Sequence, residues 1–225
     1  MELKNKTVVI TGGTKGLGLA LARGFENEGV NVVVCSRSEG EFKNVSGGVL
    51  AVKADVTKEE DLENVLNITK EKFGGVDIWI NNAGIWLPHR PIEETDWRRA
   101  HDLIEVNLFG TVYGSKIALS EMKKKNEGVI INVLSTSALE GKINETAYCS
   151  SKFASDGFTK SLRKELEETG IKILAVYPGG MKTDLFNEEI PEKYSDYMTP
   201  EFVAEKIISN LKSDSPEEEL IIRRN

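Results

Sequence analysis

Tyr148 and Lys152 lie four residues apart in a segment of helical period, so their side chains return to nearly the same face and can flank one site. A phenol has a pKa of about 10 in water, and a neighbouring cation that stabilises the phenolate brings it toward neutrality. The chemistry open to the pair is proton exchange with an oxygen that gains or loses negative charge, as a carbonyl oxygen does when hydride adds to its carbon. Taken alone, the spacing is common by chance and more often marks a packed tyrosine beside a surface lysine.

A second constellation lies near the start. The apolar run Thr7 to Ile10 leads directly into Thr11-Gly12-Gly13-Thr14-Lys15-Gly16-Leu17-Gly18, and an amphipathic helical pattern follows. Glycines there allow a tight turn and close approach to a pyrophosphate, whose charge the free amides and positive end of the helix would stabilise. The next strand ends Val34-Cys35-Ser36-Arg37 with no carboxylate to accept hydrogen bonds from ribose hydroxyls. Arg37 can instead fork onto a 2'-phosphate, with Ser36 beside it and Lys15 approaching from the glycine loop, which points to NADP(H) over NAD(H). The alternative is that both cations are surface residues.

The elements that must position these groups alternate. Thr7 to Ile10, Asn31 to Cys35, Val49 to Lys53, Ile78 to Ile80, Val129 to Leu134 and Lys172 to Val176 read as strands apolar on both faces. Leu17 to Asn27, Lys58 to Phe73, Trp97 to Lys124, Ala147 to Glu168 and Glu201 to Lys212 read as helices, the last capped by Thr199 with Pro200 at its first position. Gly170 is expected to end the helix before it. The pattern predicts an α/β fold, a single doubly wound Rossmann-type domain over residues 1–225 with a parallel sheet of six to seven strands flanked by helices. Residues 1–130 would mainly bind cofactor and 131–225 carry catalytic and substrate groups. Few residues separate Arg37 from Val49, so the second crossover should hold a stunted helix or none. Leu220 to Asn225 could add the seventh, edge strand.

Composition excludes several classes. With 225 residues, 40% hydrophobic and 29% charged, the chain resembles ordinary globular proteins, and no apolar run could span a bilayer. A net charge of -7 leaves no basic footprint for nucleic acid, and Lys123-Lys124-Lys125 and Glu217-Glu218-Glu219 read as solvated surface. Cys35 and Cys149 provide neither a disulfide framework nor a metal cluster. A soluble, cytoplasmic protein without metal or membrane partner is expected.

In order along the chain, the glycine loop, Asp55-Val56, Asn81-Asn82-Ala83-Gly84, Asn107, Ser135, Tyr148-Cys149-Ser150-Ser151-Lys152 and Pro178-Gly179 followed by Thr183 resemble the short-chain dehydrogenase/reductase family, over about Lys6 to Thr183. The resemblance implies an NADP(H)-dependent oxidoreductase acting on a small carbonyl or alcohol, with Tyr148 as acid/base. It implies that Lys152 lowers the tyrosine pKa and reaches the nicotinamide ribose, that Ser135, rather than its neighbour Ser137, orients the substrate oxygen, and that Asn107 holds a relay water. Asp55 and Val56 would meet the adenine, and Asn82, Ala83 and Gly84 would pack beside the cofactor. Pro178, Gly179 and Thr183 would lie at the nicotinamide end. Asp55 also fits a helix cap and Asn107 a buried carbonyl cap. Relatives of this kind assemble as homodimers or homotetramers. Substrate choice should come from Trp86 to His89, Leu139 to Ile143 and Asp184 to Met198, the last a lid-like loop. A cofactor-binding regulator without turnover and a nucleotide-sugar epimerase or dehydratase are the rival readings.

Overall fold

The computed structural model describes residues 1–224. Seven strands form one sheet in the order β3-β2-β1-β4-β5-β6-β7, with every pair parallel. They are β1 (Thr7–Thr11), β2 (Asn31–Ser36), β3 (Leu50–Lys53), β4 (Ile78–Asn81), β5 (Gly128–Val133), β6 (Ile171–Pro178) and β7 (Glu219–Ile222). Strand order reverses between β1 and β4, and the crevice at the carboxyl ends of those strands is where doubly wound sheets bind ligands. The edge strand expected within Leu220 to Asn225 is present as β7, which ends at Ile222; Asn225 lies outside the described residues.

Alternation along the strands builds a core on each face. Val8, Ile10, Val32, Val34, Ile78 and Ile80 face α1 (Gly16–Asn27) and α6 (Pro200–Lys212). Val9, Val33, Trp79, Ile130 and Ile173 face α2 (Glu59–Phe73), α4 (Gly110–Lys125) and α5 (Thr146–Glu165). The crossover from β2 to β3 holds only a 3-10 turn, Glu39–Asn44, as its length demanded. Thr199 caps α6 by accepting from the Phe202 amide, with Pro200 in the first turn.

Two sequence expectations need correction. The segment Trp97 to Lys124 is not one uniform helix: α3 (Trp97–Ile104) passes through a π-helical turn at Glu105–Phe109 before α4. The wider turn carries Asn107, whose side chain is bonded to the Ile85 backbone, and such bulges collect at functional sites. The helix expected to reach Glu168 ends at Glu165, where the Leu166 amide bonds Arg163 O. Gly170 is not its left-handed cap. A Cβ there would overlap the Asn126 carbonyl oxygen, so glycine is needed for close approach of two backbones.

A chain of buried hydrogen bonds crosses the layer between β4, β5 and the helices. Trp79 Nε1 donates to Asn81 Oδ1 (2.9 Å), and Asn81 Nδ2 donates to Asn132 Oδ1 (2.8 Å) and Ser115 Oγ (3.0 Å). Asn132 Nδ2 donates to Thr159 Oγ1 (2.9 Å), whose hydroxyl donates to Ser155 O (2.7 Å). Among the described residues every buried side-chain polar atom finds a partner, as native interiors require.

Candidate functional site

One cleft of about 450 Å³ opens at the strand-order reversal. Every expected site residue except Asn107 lines it, from Gly12, Thr14, Lys15, Gly16, Leu17 and Gly18 at one end to Ser135, Tyr148, Lys152 and Thr183 at the other.

The floor is built by backbone proximity. Gly12 has φ +63° and lies so close to Ala83 that a Cβ would sit 3.0 Å from the Ala83 Cα. A Cβ on Gly18 would overlap the Gly12 carbonyl oxygen, so the loop folds under the start of α1 only without a side chain there. Thr11 and Asn82 stitch β1 to β4: the Asn82 and Ala83 amides each donate to Thr11 Oγ1 at 3.0 Å, and Asn82 Nδ2 donates to Thr11 O at 2.8 Å. Lys15 is the N-cap of α1 and makes no side-chain cap, leaving the helix's positive end to face the cleft.

At the far end, Lys152 is 5% exposed, and its ammonium donates to Val133 O at 3.2 Å and lies 5.8 Å from the Tyr148 ring centroid. Burial pushes the Tyr148 phenol up to about 12, with the Ser135 hydroxyl working against that rise, and brings Lys152 down to about 8. Lys152 does not figure among the causes that shift the Tyr148 phenol, which are burial, Ser135, Glu145 and Cys149. The cation sits over the ring and serves a carbonyl, while desolvation dominates both groups. Ser135 Oγ accepts from the Ser137 amide (3.1 Å), and Ser137 Oγ is committed to Glu145 Oε2 (3.1 Å), so Ser135 is the serine that remains for a ligand.

Asn107 lies behind this wall. Its Oδ1 accepts from the Ile85 amide (2.9 Å), and its Nδ2 donates to Ile85 O (3.0 Å) and Ser151 Oγ (3.2 Å). Both N–H groups are engaged, so the side chain of Asn107 anchors the Gly84–Trp86 loop. Asp55 accepts from the Thr57 amide (3.0 Å) and hydroxyl (2.8 Å) in a turn ahead of α2, while remaining part of the cleft lining. It does not cap the helix, whose N-cap is Lys58. Val56 packs under Gly110, and the Gly179 amide donates to Ile222 O (2.9 Å), so β7 fixes the Pro178-Gly179 strand end. Thr183 caps the turn Asp184–Phe186, and a Cβ on Gly16 would lie 3.3 Å from its methyl.

The mouth at this end of the cleft joins the three segments expected to set specificity. Trp86 meets Phe186 edge-on with centroids 5.0 Å apart, Phe186 meets Tyr197 at 5.6 Å, and His89 meets Trp86 edge-on at 5.2 Å. His89 Nε2 lies 3.1 Å from Glu145 Oε1. Burial pushes the Glu145 carboxyl up, but His89, Lys142 and Ser137 outweigh it and hold the group below its ordinary value. The segment after Thr183 is zipped at its base by Lys182 N donating to Met198 O (2.8 Å) and Met198 N to Gly180 O (3.0 Å). Bidentate pairs tie its tip down: Arg90 to Glu189 and Arg99 to Glu188.

Two carboxylates in the lining escaped sequence reasoning, Glu145 and Glu41. Glu41 enters from the 3-10 turn after β2 and accepts from Thr14 Oγ1 (2.7 Å) and Ser36 Oγ (3.0 Å), pairing also with Lys15 Nζ (3.2 Å). The Thr14 hydrogen bond leads the causes that hold its carboxyl below the ordinary value. A carboxylate is thus available at the end of β2, contrary to the expectation that none is. The acid arrives from five residues beyond Ser36, and nothing in the sequence marks that turn as folding back.

A sequence model of the short chain dehydrogenase family matches residues 6–194. The chain is 38% identical over 204 residues to 3beta-hydroxysteroid dehydrogenase 1 of Eggerthella lenta, covering 85% of this chain and 76% of that protein. A solved structure of ElxO with NADP bound superposes with a TM-score of 0.88 at 32% identity, covering 96% of each chain. A 3-ketoacyl-(acyl-carrier-protein) reductase from Brucella melitensis, solved in complex with NADH, superposes with a TM-score of 0.89 at 28% identity, covering 98% of this chain and 97% of that one.

Proposed function

The chain belongs to the short-chain dehydrogenase family, and from that premise we propose that it is an NADP(H)-dependent oxidoreductase, transferring hydride between the nicotinamide and a carbonyl or secondary alcohol carbon. The observation that carries the reading is one continuous cleft that joins the uncapped start of α1 to Ser135, Tyr148 and Lys152. The cradle at Gly12 and Gly18, which side chains would fill, suits a pyrophosphate, and the similar protein ElxO was solved with NADP bound. When bound, the cofactor supplies the hydride.

The chain's own residues do the rest. Ser135 Oγ donates to the substrate oxygen and holds it beside the Tyr148 hydroxyl. As the carbonyl carbon gains hydride, its oxygen takes the phenolic proton. A phenol at about 12 is fully protonated at neutral pH and still far more acidic than an alcohol, so transfer to the forming alkoxide runs downhill. Lys152 supplies positive charge near the phenolate left behind and is placed to reach the nicotinamide ribose. Asn107 keeps the Gly84–Trp86 loop against the cofactor. Lys15, Ser36, Arg37 and Thr14 serve the 2'-phosphate, Asp55 and Val56 the adenine, and Pro178, Gly179 and Thr183 the nicotinamide end. Phe109, in the π turn that leads into α4, and Phe153, on α5, are both exposed and give this side an apolar face that a homodimer would bury.

The test is NADPH consumption at 340 nm over a panel of acyl-thioester ketones, steroids, quinones, sugars and aldehydes, for wild type and Tyr148→Phe. Turnover that falls at least about 1,000-fold in the variant, with NADPH binding kept, supports the reading. Turnover that survives the substitution refutes it.

A further inference from the structure

The seat of Glu41 has a consequence for which cofactor the cleft accepts. Its carboxylate holds three of the four groups assigned above to the 2'-phosphate, namely the Thr14 and Ser36 hydroxyls and the Lys15 ammonium. Arg37 is the fourth, exposed on the rim of the same cleft. The turn that carries Glu41 is itself tied to the glycine loop, since Asn44 Nδ2 donates to Thr14 O at 3.2 Å. Glu41 is less exposed than its neighbour in that turn, with 28% of its side chain open to solvent against 64% for Glu39. It is a fixed part of the lining.

Resting on the nicotinamide reading, we infer that Glu41 selects the coenzyme: seated on Thr14, Lys15 and Ser36, it opposes the 2'-phosphate of NADP(H) and offers an acceptor to the 2'-hydroxyl of NAD(H). Both effects act in the same direction. To admit the phosphate, the carboxylate must leave its seat and surrender three hydrogen bonds, or remain and place two anions around one ammonium. A ribose hydroxyl has the opposite demand. It is a donor as well as an acceptor, and a carboxylate among hydroxyls is the partner it lacks when only cations surround it. Arg37 pulls toward NADP(H) and Glu41 pulls back, so the wild-type protein uses both coenzymes, with a preference for the phosphorylated one smaller than Arg37 and Lys15 alone would produce.

Tryptophan fluorescence reports the binding, because Trp86 is buried in the cleft wall. Kd values for NADPH and NADH are to be measured at fixed ionic strength for wild type, Glu41→Ala and Glu41→Gln, with circular dichroism to confirm that each remains folded. Glu41→Ala is expected to tighten NADPH by about 10- to 100-fold and to weaken NADH severalfold, the range set by one or two charge-assisted hydrogen bonds. Glu41→Gln keeps the shape without the charge and should tighten NADPH by about tenfold. A ratio of the two Kd values that moves by less than about threefold in both variants, or NADPH binding that weakens, overturns the assignment of Glu41 while leaving the nicotinamide reading intact. Wild-type protein that binds neither nucleotide overturns that reading and this one with it.

Discussion

Lys152→Met removes an ammonium group from a site where the side chain is 5% exposed and its one hydrogen bond runs to Val133 O. Burial brings the lysine from 10.5 down to about 8, which corresponds to about 3 kcal/mol spent on holding the charge inside the fold. Losing the hydrogen bond to Val133 O returns about 1 kcal/mol, and methionine, unbranched and of similar reach, fills the channel. The variant should thus be more stable than the wild type by about 2 kcal/mol, a rise in Tm of about 4–8 °C for a chain of this size. The gain has a pH signature. Because the folded lysine gives up its proton more readily than the unfolded one, the cost is fully present below about pH 8 and is relieved as pH rises from 8 toward 10.5. Urea titrations at pH 6.5 and 9.5 should show the advantage of Lys152→Met shrinking by about 2 kcal/mol between them. Turnover should be lost at both. A variant less stable than wild type at pH 6.5, or an advantage that does not change with pH, would refute the argument that desolvation governs this site.

Since Lys152 carries its charge only below about pH 8, kcat should decline above that value, measurable in a pH profile at saturating cofactor. Asn107→Ala deletes three hydrogen bonds to Ile85 and Ser151 in a buried turn and is expected to cost about 2–4 kcal/mol by urea titration and to lower kcat. Arg37→Ala should reduce the NADPH-to-NADH ratio of kcat/KM by about tenfold or more. Arg90→Ala combined with Arg99→Ala frees Glu189 and Glu188, so limited proteolysis near residues 187–193 should accelerate while the Tm stays close to wild type.

Sequence patterns reveal what repeats and miss what returns from a distance. Two-faced apolar runs could only be strands of a covered parallel sheet, and the glycine loop between a strand and a helix announced the cleft, so the architecture and nearly its whole lining were legible. The π turn at Asn107 was not, because residues 97–124 keep a helical period throughout and the pull comes from Ile85, 22 residues earlier. Glu41 escaped for a similar reason: a short turn folds it back onto hydroxyls whose partners no local rule specifies. The spacing of Tyr148 and Lys152 correctly placed them on one wall, but spacing carries no information about dielectric, and burial leads the causes that shift the tyrosine.

The paired amides of Asn81 and Asn132 bear on how the chain finds its strand alignment. Ile78-Trp79-Ile80 and Val129-Ile130-Ile131 are apolar throughout, and greasy strands of this kind can pair in several alignments at similar energy. Asn81 and Asn132 are direct partners in the β4–β5 register, joined by a hydrogen bond from Asn81 Nδ2 to Asn132 Oδ1 inside a dry layer. Sliding one strand by a residue would thrust Asn132 into the apolar layer beneath α1 and α6. Sliding by two would keep it on the correct side but about 7 Å from its mate. The amide pair thus works as a proofreading mark for sheet assembly, penalising the misaligned products that the surrounding valines and isoleucines would tolerate.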